Sequence, residues 1–254
     1  MKIDHIVLRG ILMKVSLFIT CLSDVFFPQV GKSVVEIMNQ CGVELDFPEG
    51  QTCCGQPAYN SGYQEDAKLA AKQMIKAFEH SEYIVTPSGS CASMVHHYYK
   101  EMFKGDSEWY EKAVHLADRT YELTDFLVNI LGKNDWKSKL VEKAVFHQSC
   151  HMSRALGIKE EPLKLLSQVE GLDIKELPYC QDCCGFGGTF AVKMSSISET
   201  MVDEKIKHIE ATEANLLIGA DMGCLMNIGG RLRRENKNIQ VLHVAEVLAK
   251  GLNK

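Results

Sequence analysis

The sequence predicts an α/β fold built from two duplicated cysteine-rich halves, with mainly parallel sheets and pseudo-two-fold symmetry. Three observations lead there. A pattern of cysteines occurs twice, short apolar runs alternate with helical periodicities in each half, and the residues flanking the cysteines repeat too. In the first half Cys21 is followed by 31 residues, Cys53-Cys54-Gly55, 35 residues and Cys91; in the second, Cys150 is followed by 32 residues, Cys183-Cys184-Gly185, 38 residues and Cys224. Gly42 to Pro48 precedes the first pair as Gly171 to Pro178 precedes the second, and Tyr121 to Gly132 resembles Gln240 to Gly251.

The elements follow in order. Val15 to Ile19 and Ala144 to His147 are short apolar runs ending at or just before a cysteine, as buried strands do. Val34, Ile37 and Met38, like Leu165, Leu166 and Val169, recur at helical spacing ahead of Gly42 and Gly171, which suit helix ends. A second strand then leads to each cysteine pair. Helices over Gln64 to Glu79 and Ile197 to Thr212 precede strands Tyr83 to Thr86 and Asn215 to Ile218, with Cys91 and Cys224 just beyond. Residues 1–12 read as a leader outside the fold with Met13 as the start, 13–138 as the first domain and 139–254 as the second. The halves are expected to fuse into one body with their cysteine sets near a shared face. Every cysteine of a repeat falls after a strand end or in a loop that opens a helix. Ligands of open α/β sheets bind beyond the carboxyl ends of the strands, so the sulfurs of each half should converge there.

Composition excludes several classes. At 254 residues, 46% hydrophobic and 24% charged, the chain can bury a sizeable core. A net charge of -5 and a pI near 6.0 leave no basic field for a phosphate backbone, so no nucleic-acid partner is expected. Val15 to Cys21 is the longest early apolar stretch, far short of the ~20 residues a membrane helix needs, and no transmembrane segment is expected. It is also too short for a secretory signal, and Thr20 is a poor residue before a cleavage site. Ten cysteines in such a chain indicate metal or redox work in a reducing cytoplasm instead of a disulfide framework.

Cluster iron takes thiolate ligands, and a [4Fe-4S] cubane needs four, the number each half repeats. Adjacent cysteines suit a multi-iron cluster better than one small ion, although a zinc-stabilised interaction protein and a thiol/disulfide reductase stay open as alternatives. The candidate ligands are Cys21, Cys53, Cys54 and Cys91, and Cys150, Cys183, Cys184 and Cys224. Gly55 and Gly185 allow positive φ and close approach, so that backbone amides could donate to sulfur. Cys41 reads as a core residue. Cys180 forms Cys-x-x-Cys-Cys with the second pair, His147 and His151 read as hydrogen-bonding around a strand end, and His96 and His97 as a partly exposed face. Gly185 to Gly188 lacks the G-x-G-x-x-G spacing of a dinucleotide site.

On this repeated cysteine pattern the chain resembles the CCG domains found in heterodisulfide reductase and in the glycolate oxidase iron-sulfur subunit. Gln51 to Gly62, Asp182 to Phe190 and Asp221 to Arg231 resemble the lactate utilization protein A family, a likeness that runs from Met13 to the end. The resemblance implies an iron-sulfur electron-transfer subunit of a complex oxidising L-lactate to pyruvate, inactive alone, with a ferredoxin-type iron-sulfur subunit and a third lactate-utilization subunit as partners. The broad CCG pattern ends in Cys-x-x-Cys, whereas Met94 and Asn227 stand at those last positions here. Four ligands per half therefore favour two [4Fe-4S] cubanes or modified forms. The chain also lacks the ferredoxin cysteine run, which assigns relay clusters to another polypeptide.

Overall fold

The computed structural model describes residues 13–133 and 135–252, so the expected leader at 1–12 lies outside it. The chain forms two compact units that divide between Lys133 and Asn134. Residues 135–138 join the second unit. The buried Trp136 ring donates to the Leu248 carbonyl at 2.8 Å, its backbone N–H to the Gln168 side chain at 2.5 Å, and the Ser138 carbonyl accepts from Glu170 N–H at 2.9 Å.

In the first unit β1 (Lys14–Leu17), β2 (Glu44–Asp46), β3 (Tyr83–Thr86) and β4 (Thr120–Glu122) form one sheet in the order β2-β1-β3-β4, every pair parallel. In the second, β5 (Lys139–His147), β6 (Glu170–Lys175), β7 (Leu216–Gly219) and β8 (Gln240–His243) repeat it as β6-β5-β7-β8, again all parallel. Parallel neighbours require crossovers, supplied here by helices such as Pro28–Gln40, Gln64–Ala77 and Ser195–Glu210. β7 is buried along its length and β3 along all but its first residue, which is why Ile84-Val85 and Leu216-Leu217-Ile218 are unbroken apolar runs. Ala67, Ala71, Met74 and Ile75 of Gln64–Ala77 are buried at three- and four-residue spacing, forming the stripe a helix turns to its sheet.

Strand ends depart from the apolar pattern for local reasons. β1 stops at Leu17, because the N–H of Ile19 goes to the Gln51 side chain at 3.1 Å although Phe18 still donates to Val85 O at 2.9 Å. β5 begins five residues earlier than its apolar run, pairing Lys139 with Glu170 across an irregular register. That stretch escapes an apolar count since Val141 is exposed and Leu140 half-buried. The Tyr121–Gly132 and Gln240–Gly251 segments each hold a strand turning into a helix. Register pairs Thr86 with Glu122 and Gly219 with His243, making those two residues counterparts, two positions away from the match by sequence. Both cap the helix that follows: Glu122 accepts from the N–H groups of Thr124 and Asp125 at 2.7 and 3.3 Å, and His243 from Ala245 N–H at 3.1 Å. Glu246 returns a bond to His243 N–H at 2.8 Å, completing a capping box.

Glu122 is 1% exposed and one carboxylate oxygen has no partner. Burial raises its pKa to about 8, against hydrogen bonds from Thr124 and Asp125 that pull it down. Between the ordinary carboxylate value and pH 8 the folded chain keeps a proton that the unfolded chain has released, so this stabilisation is lost as pH rises through that window. Glu122→Gln removes the dependence. Urea midpoints compared at pH 5 and pH 8 should fall more for the wild type than for E122Q, and parallel pH profiles would contradict the burial argument.

Candidate metal centres

From β1 the chain crosses to β2 on one side and then to β3 on the other, so the sheet reverses direction between β1 and β3, the place where open α/β sheets form a crevice. The cysteines are delivered around it. Cys21 opens the helix Cys21–Phe26 after β1, Cys53 and Cys54 lie in the loop after β2, and Cys91 sits in the first turn of the helix that begins at Gly89 after β3. Its N–H is held by the Ser88 hydroxyl at 3.3 Å. The second unit repeats this, with Cys150 after β5, Cys183 and Cys184 after β6, and Cys224 in the first turn of Met222–Arg234 after β7.

The sulfurs form a row. Cys21 Sγ lies 3.7 Å from Cys53 Sγ and Cys54 Sγ lies 3.6 Å from Cys91 Sγ, while Cys53 and Cys54 bond each other. In the second unit Cys150 bonds Cys183, Cys183 bonds Cys184, and Cys184 bonds Cys224. Each row runs inward, since Cys21 is exposed and Cys150 half-buried, Cys53 and Cys183 are half-buried, and the remaining four are buried. Hydrogen bonds from Cys21 and Cys54 hold Cys53 down to about pKa 3, and those from Cys150 and Cys184 hold Cys183 at about 2. The donors move the other way. Bonding to the thiolate, then burial, pushes Cys21, Cys54, Cys150 and Cys184 up. Cys53 and Cys183 thus carry charge while the thiols on either side of each keep their protons.

Gly55 and Gly185 turn the chain at φ +85° and +81°. A Cβ would lie 3.2 Å from Ala67 O at Gly55 and 2.7 Å from Ser198 O at Gly185, so both positions combine positive φ with close approach to the next helix. Gly185 N–H donates to Cys183 Sγ at 3.4 Å, and Gly55 N–H does the same for Cys53. The pair's second carbonyl is held differently in each unit, by Tyr99 OH on Cys54 O at 3.0 Å and by Asn227 Nδ2 on Cys184 O at 2.8 Å. Asn227 therefore has a structural task at the position where the broad pattern places a cysteine. Gln51 ties the first pair's loop to β1 by donating to Leu17 O at 3.1 Å and Pro48 O at 3.2 Å.

Several side chains depart from the sequence reading. Cys41 is half-buried at the end of Pro28–Gln40 and outside the core. The Cys180 carbonyl accepts from Lys205 Nζ at 3.4 Å, beside a 2.8 Å bond from the same Nζ to Tyr179 O. Lys205 is 1% exposed, a buried cation that helical periodicity counts as a polar interruption and passes over. Where the sequence reading has His147 hydrogen-bonding at its strand end, the ring is instead buried with neither nitrogen paired, and burial, then Lys205, lowers its pKa to about 3. His151 Nδ1 lies 3.6 Å from Cys150 Sγ. His96 is half-buried and bonds Thr120 O at 2.7 Å, whereas His97 is exposed.

The donor set fits an iron-sulfur group. A single tetrahedral ion with metal–sulfur bonds of about 2.3 Å spaces every sulfur pair by about 3.8 Å. Among the described residues, no three donors of the first unit lie within even 4.8 Å of one another, so its row is open and suits a group with several irons. The one trio that meets that limit among the described residues is His147, Cys184 and Cys224. No helix among the described residues is long and apolar enough to cross a membrane.

The family model for the CCG cysteine-rich domain matches residues 15–96 and 144–229, one per unit. The chain is 99% identical over 242 residues to Lactate utilization protein A 2 of Bacillus cereus strain 03BB102, covering 95% of this chain and 100% of that one. It is 61% identical over 236 residues to Lactate utilization protein A of Bacillus subtilis strain 168, covering 93% and 99%. A crystal structure of a hypothetical protein from Helicobacter pylori shares the fold at a TM-score of 0.65 and 11% identity, over 92% of this chain and 48% of that one, so the chain spans about half the length of that protein.

The hydrogen-bonded rows set an order of thiol reactivity. In reduced, metal-free protein at pH 5, where an ordinary thiol near pKa 8.5 is protonated, Cys53 and Cys183 should be alkylated by iodoacetamide first. Peptide mass spectrometry reads the order, and uniform labelling of all ten cysteines would contradict it.

Proposed function

Since the chain belongs to the lactate utilization protein A family, with two CCG cysteine-rich domains, we propose that it serves lactate utilization as an iron-sulfur electron-transfer subunit. The observation that supports this most is the pair of four-sulfur rows, each at the switch point of a parallel sheet and each reaching from the surface inward. Cys21, Cys53, Cys54 and Cys91 would hold one group, and Cys150, Cys183, Cys184 and Cys224 the other. An iron-sulfur cluster supplies one-electron transfer by valence change at iron. The chain's own residues set the conditions for it. Gly55 and Gly185 amides donate to ligand sulfurs, Tyr99 and Asn227 fix the carbonyls of the buried ligands, and burial of Cys54, Cys91, Cys184 and Cys224 keeps water from the inner end.

Oxidation of L-lactate to pyruvate removes two electrons and two protons, so a hydride or its equivalent must be accepted before single-electron carriers disperse the charge. We assign that acceptance to a partner, with a ferredoxin-type subunit and a third subunit completing the complex. Work in the cytoplasm suits ten reduced thiols. The low pKa of Cys53 and Cys183 also favours a thiol/disulfide reductase as a second reading, which predicts vicinal disulfides in metal-free protein.

Anaerobic purification with iron and sulfide analysis tests the proposal. Cys54→Ser and Cys184→Ser should each lower iron by about one cluster's worth, because each half supplies its own ligands; unchanged iron in both variants, or stoichiometric zinc, would sink the assignment. Lactate-dependent dye reduction should appear only when the partner subunits are added to the cluster-replete chain. Turnover by the chain alone would overturn the division of labour.

A further inference from the structure

We propose that His147 is a ligand of the second unit's metal group, a nitrogen donor beside Cys184 and Cys224 that the first unit lacks. This rests on the cluster reading above and deepens it. A ring nitrogen of His147 and the sulfurs of Cys184 and Cys224 lie within 4.8 Å of one another. The ring is 1% exposed, and neither Nδ1 nor Nε2 has a hydrogen-bond partner. Two orphaned nitrogens in a buried ring are costly, and a metal on one of them removes part of that cost.

The backbone fixes the donor. His147 is the last residue of β5, pairs in register with Gly219 of β7, and so stands beside the strand whose following helix carries Cys224. The first unit fills the same places with hydrocarbon. Phe18 lies three residues before Cys21 as His147 lies three before Cys150, and it packs 5.8 Å from the Phe78 ring. Met74 takes the place of Lys205, each seven residues past the carbonyl that the CCG glycine touches. The two units thus present the same cysteines in different surroundings.

The test uses the full chain purified anaerobically, with and without ¹⁵N-histidine, and pulsed EPR of the reduced protein. A ligand-strength nitrogen coupling that responds to the histidine label, and disappears in His147→Phe, is expected. Phenylalanine is chosen because the first unit already holds that ring at the equivalent position. In a redox titration H147F should shift one of the two potentials and leave the other in place. A cluster-replete protein showing only the weak couplings of backbone amides, or a histidine coupling that survives H147F, would overturn the proposal and leave the cluster reading intact. A chain without iron would remove both. If H147F does not fold, His151→Phe decides: the histidine coupling should persist in it, and its loss there would overturn the proposal.

Discussion

Thiols 3.6 to 3.7 Å apart cannot all ionise without positive charge between them, since each new thiolate raises the cost of the next. The surroundings of each row answer this constraint. Cys91 and Cys224 lie in first turns of helices, glycine amides reach Cys53 and Cys183, and in the absence of a cation the charge settles on the half-buried sulfur that two neighbouring thiols and a glycine amide bond. Sheet topology then does the gathering. Three strand ends at a reversal of strand order bring together residues that are 70 positions apart in sequence, Cys21 to Cys91, without any long loop.

Duplication copied that scaffold and left the linings to diverge. Against Phe18, Met74, Ser88 and Met94 in the first unit stand His147, Lys205, Asp221 and Asn227 in the second. The first set is mostly hydrocarbon, and Met74 accepts a bond from Thr52 N–H at 3.1 Å through its thioether. The second is polar and almost entirely buried, with Ser149 donating to Asp221 at 3.2 Å. Burying a lysine, a histidine and an aspartate near thiols is tolerated only where each finds compensation. Lys205 has two carbonyls and Asp221 a hydroxyl, which makes the unpaired His147 the exception in that set.

Most of the fold was legible because a repeat doubles every signal. Cysteine spacing located both sites, and apolar runs located the central strands, with Tyr83–Thr86 found at its true limits. Less came through where geometry and composition part. β4 and β8 are short, partly buried edge strands that run directly into capped helices, so neither apolar length nor a turn residue marks them. Lys205 was invisible, because a single polar residue on a helix reads as surface until its neighbours are known, and Asn227 showed only as a departure from the cysteine pattern. His147 stands out in sequence for its place near Cys150, yet its isolation depends on Gly219 across the sheet, a contact that no local pattern encodes.

The inward slope of the rows gives each centre a direction in time. Ions and oxidants arrive at Cys21 or Cys150, whereas Cys54, Cys91, Cys184 and Cys224 are reached only past them. A metal group entering such a row would be loaded before the loops that carry the paired cysteines close fully, or be handed over from the outer sulfurs to the inner ones. Damage follows access and charge together, the half-buried Cys53 and Cys183 being spent while the buried sulfurs behind them are still reduced, so repair would begin from a site whose inner sulfurs are already in place.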